Sequence, residues 1–119
     1  MPTTTADIDR LKRTRTVDLT TIGRRSGLPR TVEIWWFHVE DRFIITGTPG
    51  RRDWLANIRE NPEVVISTSF GEFPATVAEV HDKDFRRRVF EAPEIGWYAS
   101  QADLQRLVDT APMIEVDFS

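Results

Sequence analysis

The chain has 119 residues, 39% of them hydrophobic and 29% charged, the proportions of one soluble globular domain. It has no cysteine, which excludes disulfides, thiolate metal sites, iron–sulfur clusters and a cysteine nucleophile, and fits a reducing, cytoplasmic setting. The formal net charge of −3 argues against wholesale nucleic-acid binding, and no run approaches the roughly 20 apolar residues of a transmembrane segment.

Residues 1–15, "MPTTTADIDRLKRTR", read as a frayed or helical arm without a secretory h-region, ahead of a single domain over 16–119. "TVDLTTI" (16–22) is β-branched and alternating, and predicts a strand. "GRRSGLP" is a turn by its Gly, Ser and Pro content. "RTVEIWWFHVE" (30–40) is the strongest strand signal. It has Val32, Ile34 and Trp36 on one face and Trp35, Phe37 and Val39 on the other, as expected of a barrel wall covered on both sides. Asp41 and Arg42 turn the chain into a third strand, 43–48.

Asp53 suits a helix N-cap. Trp54, Leu55 and Ile58 have helical spacing, and Asn61-Pro62 stops the helix. Strands follow at 64–70 and 73–80 with a turn at Gly71-Glu72, then a helix over 82–92, a loop "PEIGWYAS", a helix over 101–111 and a last strand, 113–118. Short hairpin connections make the strands antiparallel. The expected fold is mainly β with added helices: a six-stranded antiparallel split β-barrel, one helix inserted after strand 3 and two before the last strand.

Two stretches carry chemistry. Gly23 and Gly27 flank Arg24, Arg25 and Ser26, with Arg30 just beyond. Glycines let backbone N–H groups approach an anion, and arginines add charge-assisted bonds. The same residues also make an ordinary solvated hairpin. In "TPGRRDWLANIRENP", Gly50, Arg51 and Arg52 precede a helix start, where anions bind well. Trp54 and Asn57 share a helix face that could stack on and bond a flat heterocycle, or could equally be a core anchor and a solvated amide. No nucleotide-binding glycine fingerprint is present. His38 and His81 lack partners at metal-ligand spacing, so no metal is expected. Arg86, Arg87 and Arg88 read as a solvated helix face, and no hydrolytic triad is signalled.

Taken together, "LTTIGRRSGLPR", "IWWF", "FIITGTPGRRDWLANIRENP" and "FPATVAEV" resemble the deazaflavin-dependent nitroreductase family of actinobacteria and their relatives, split β-barrels related in fold to pyridoxamine-phosphate oxidases. The resemblance covers residues 17–80. It implies coenzyme F420 as cofactor, with its phosphate and polyglutamate tail on Arg24, Arg25, Ser26 and Arg30, Trp54 and Asn57 beside it, and Arg51 and Arg52 in the adjoining loop. It also implies hydride transfer from the reduced deazaflavin to a small acceptor, a quinone or nitro compound. The cofactor carries that reaction, so no catalytic side chain is expected. A backbone amide near Gly47 and Thr48 would polarise the ring carbonyl region. Trp36, Trp97 and Tyr98 are the candidates for the substrate side. FMN on the same barrel, or a non-catalytic cofactor-binding protein, fits the same residues. Trp35 and Phe37 suggest a homodimer face.

Overall fold

The computed structural model describes residues 3–47, 50–95 and 103–118. Six strands, β1 (Thr16–Ile22), β2 (Pro29–Val39), β3 (Arg42–Thr46), β4 (Glu63–Thr68), β5 (Gly71–Glu79) and β6 (Met113–Phe118), close into a barrel in the order β1-β2-β3-β6-β5-β4. Every pairing is antiparallel, and closure is made by β4 returning to β1, with Leu19 opposite Ile66. The helices are α1 (Thr5–Lys12), α2 (Asp53–Glu60), α3 (Lys83–Glu91) and α4 (Leu104–Thr110), with a 3-10 turn at Pro93–Ile95. The expected barrel, with its helix after strand 3 and its helices before strand 6, is the one found.

Strand alternation sorts side chains into two cores. Val17, Leu19, Trp36, Phe43, Ile45, Ile66, Phe73 and Val116 fill the barrel, joined by Leu11 of α1 and by Trp54 and Ile58 of α2. Phe37, Val39 and Ile44 point outward and pack under Phe85, Val89 and Phe90 of α3 and Leu107 and Val108 of α4. The two-faced burial expected of β2 thus holds for its second half. Before Trp36 the strand is more open: Val32 is exposed, and Trp35 is 43% exposed, so of the two residues expected on a homodimer face Trp35 is at the surface and Phe37 is covered by α3 and α4.

Helix α1 is more than an arm. A capping box between Thr4 and Asp7 opens it, and fully buried Leu11 plugs the barrel. The Trp36 indole N–H donates to the Thr14 carbonyl at 2.8 Å. The β2–β3 turn is Glu40-Asp41, both with positive φ (52° and 61°), as in the tight hairpin turns that match strand twist. The β4–β5 turn falls at Ser69-Phe70, where the Thr68 hydroxyl accepts from the Phe70 N–H at 3.2 Å; Gly71, expected in that turn, already belongs to β5.

Arg86 overturns the solvated-face reading. It is 7% exposed, and its guanidinium donates to the carbonyls of Val108 (2.6 Å), Val80 (2.9 Å), Leu107 (3.4 Å) and Ala111. Three of these lie at the C-terminal end of α4, where the cation complements the helix dipole and satisfies the carbonyls of Val108 and Ala111, while that of Leu107 also accepts from the Ala111 N–H. Burial lowers its pKa. Arg88 does lie at the surface, paired with Glu40 at 2.8 Å, and Arg87 donates to Gln105.

Candidate functional site

The turn from β1 to β2 is built by backbone geometry. The Gly23 N–H donates to the Leu28 carbonyl (2.8 Å), and the Gly27 N–H to the Gly23 carbonyl (2.9 Å). Gly27 has φ +70°, which favours glycine, and a Cβ on Gly23 would sit 2.6 Å from the Ser26 Oγ. Ser26 Oγ accepts from the Leu28 N–H at 3.2 Å, leaving its own proton to donate outward.

Helix α2 packs against β1, and Asn57 ties the two together. It is 3% exposed, and Thr21, its neighbour on the inward face of β1, is 1% exposed. The Asn57 side-chain carbonyl accepts from the Arg24 backbone N–H (3.1 Å) and from Arg24 Nη1 (3.0 Å). Its amide donates to the Thr21 hydroxyl at 3.0 Å. On the solvent side, Arg24 Nη2 lies 3.5 Å from the Asp53 carboxylate. Asp53 is therefore not the N-cap. Arg52 holds that position without a capping bond from its side chain, and Asp53 is the first helical residue, where a negative charge is favoured by the helix dipole.

These elements enclose an open cavity of about 560 Å³. Arg24, Arg25, Ser26 and Arg30 line it on the turn side, and Trp54 and Asn57 on the helix side. Arg25 and Arg30 have no carboxylate partner among the described residues. Asp53 is the acid in the lining, leaving a local charge of +2. Six of the ten cofactor candidates read from the sequence thus converge. Trp54 also belongs to the barrel core, and Asn57 is bonded within the protein, so the helix face is anchor and lining at once.

The remaining candidates lie elsewhere. Gly47 and Arg52 adjoin each other, the Arg52 guanidinium covering Gly47 and Gly50, outside the cavity lining. Arg51 is likewise outside the lining; its carbonyl accepts from Arg52 Nη1 at 3.2 Å. The Gly47 N–H, expected to face a ring, points to the Pro112 carbonyl at 3.4 Å. Trp36 lies in the barrel, stacked on Phe43 with centroids 4.8 Å apart, and touches a second cavity of about 510 Å³ edged by Lys12, Arg13, Arg15 and Trp35. Thr48, Trp97 and Tyr98 fall outside the described residues. No cluster of metal-ligating side chains occurs among the described residues. Sequence reasoning missed Thr21, Val32 and the acid Asp53 as cavity residues. Thr21 was signalled by β1 alternation, which puts it on the inward face with Val17 and Leu19.

Solved structures share this fold. HutZ, the haem storage protein from Vibrio cholerae, aligns over 100% of this chain and 92% of its own at 15% identity, with a TM-score of 0.67. An F420-H2-dependent reductase aligns over 87% of this chain and 94% of its own at 20% identity and TM-score 0.63. A putative pyridoxamine 5'-phosphate oxidase from Listeria innocua aligns over 94% and 93% at 12% identity and TM-score 0.68. At such identities the likeness is one of architecture. A comparison with curated protein sequences gave no match. The model of the F420H(2)-dependent quinone reductase family matches residues 4–117, so it spans the arginine turn, the inserted helix and all six strands, and the chain belongs to that family.

Proposed function

We propose that the protein is an F420H2-dependent oxidoreductase that reduces a small organic acceptor, a quinone or a nitro compound. One observation carries the reading: Arg24, Arg25 and Arg30, with the Ser26 hydroxyl, converge on one cavity beside Trp54 in a chain of net negative charge. That donor set fits a phosphate and a row of carboxylates, because guanidinium groups pair with both in fork geometry. Arg24, Arg25, Ser26 and Arg30 would hold the anionic part of the cofactor, and Trp54 would offer apolar surface. Asn57 would act by aiming Arg24. Bound F420H2 supplies the hydride; the protein binds it and orients it.

Gly47, Thr48, Arg51 and Arg52 belong to the loop before α2, and Trp36, Trp97 and Tyr98 are the proposed acceptor-side residues. Trp35, exposed on β2, favours a homodimer through its face of the strand, without Phe37, which the chain's own α3 and α4 cover. The test is turnover: reduced F420 is mixed with menadione or a nitroarene, and loss of the reduced cofactor is followed with and without protein. Protein-dependent oxidation that falls in the Arg30→Ala variant supports the reading. Turnover with FMNH2 alone would assign the same cavity to a flavin phosphate. Binding without turnover for any acceptor would make this a cofactor-holding protein.

A further inference from the structure

A cavity built for anions holds an anion of its own. Asp53 stands in the first turn of α2 with its side chain 83% exposed, and its carboxylate lies 3.5 Å from Arg24 Nη2. Behind the same guanidinium, buried Asn57 fixes Nη1 and the Arg24 backbone. Arg24 is therefore held on two sides, by a partner that cannot leave and by one that can.

We propose that Asp53 is an internal stand-in for the ligand: it occupies Arg24 until an incoming phosphate or carboxylate displaces it, and so lowers the cavity's affinity for any anion that uses Arg24. The proposal rests on the reading of this cavity as the anion site. Its physics is local. An exposed ion pair contributes little, so displacement is cheap. When the carboxylate swings out, Nη2 opens to the ligand while Asn57 keeps Nη1 in place, so the donor is already aimed. A ligand with a single negative charge gains little by replacing one carboxylate with another at Arg24. A dianion can take Arg24 and still reach Arg25 or Arg30, which have no carboxylate of their own among the described residues.

The test is a double-mutant cycle read by calorimetric titration with inorganic pyrophosphate at fixed salt. The variants are Asp53→Asn, Arg24→Ala and both together. Asp53→Asn keeps the shape and the first-turn position. It is expected to tighten pyrophosphate binding about 2- to 5-fold, the worth of an exposed ion pair. In the Arg24→Ala background the same substitution should give no gain. An equal gain in both backgrounds would overturn the proposal, because Asp53 would then act only through its general field. No gain in either, while Arg24→Ala still weakens binding, would overturn it and leave the anion site standing. Pyrophosphate binding unaffected by Arg24→Ala, or absent altogether, would overturn both.

Discussion

Replacing Asn57 by Ala tests how the site is assembled. The side chain makes three hydrogen bonds, to the Arg24 backbone N–H, the Arg24 guanidinium and the Thr21 hydroxyl. Each is worth about 1 kcal/mol net, the one to the guanidinium more, and burial adds a penalty for groups left unpaired. Thr21 and Asn57 are both almost fully buried, so water has little room to compensate. The expected loss is about 2–4 kcal/mol. Urea unfolding would show it as a lower midpoint at constant slope. Cofactor affinity should fall as well, because Arg24 loses its fixed partner. Asn57→Asp, which keeps an acceptor for Arg24, should recover part of both losses. A variant Asn57→Ala within 0.5 kcal/mol of the parent, with unchanged affinity, would refute the claim that this amide joins α2 to the arginine turn.

Arg24→Ala and Arg30→Ala should each weaken cofactor binding by about 1–3 kcal/mol, the worth of a charge-assisted bond, measured by titration; unchanged binding in both would move the anion site elsewhere. Arg86→Met keeps the aliphatic stem but strands the carbonyls of Val80, Val108 and Ala111, and should cost about 3–5 kcal/mol in unfolding without altering cofactor affinity; a cost under 1 kcal/mol would mean water replaces the clamp. Acid should destabilise the fold in part through Glu79, whose pKa is lowered first by its hydrogen bond from Arg59. A depressed carboxylate stabilises above its unfolded pKa and loses that contribution as pH falls through its folded value, so the effect sets in below about pH 4.3. Both partners are partly exposed, so Glu79→Gln should flatten the acid limb by no more than about 1 kcal/mol; an unchanged limb would count the pair as worthless.

The barrel was legible because its signals are local. β1 and β6 have the predicted boundaries, and Asn61 ends α2 where its Pro62 neighbour demands it. The arginine turn could be read from glycine placement and charge. Its partnership with Asn57 could not, because that bond spans 33 residues and depends on how α2 docks against β1. The same limit hid Arg86. Three consecutive arginines look alike in sequence, and only the end of α4, more than twenty residues on, shows that one of them is buried. Asp53 looked like an N-cap because its type suits that role, and the shift by one residue turned its carboxylate toward Arg24. Trp35 and Trp36 show the converse: alternation separates their faces, but only helix placement shows that one face is left uncovered.

The central claim is that the turn from Gly23 to Arg30, with α2 beside it, is a cofactor site for a multiply charged deazaflavin. Tryptophan fluorescence tests it most directly, since Trp54 lines the cavity. Oxidised F420 and FMN would be titrated in parallel cells against the parent protein and the Arg24→Ala variant. The account predicts saturable quenching by F420 in the micromolar range, little by FMN, and a weakened response in Arg24→Ala. No quenching by F420, or quenching that ignores the loss of Arg24, would contradict it.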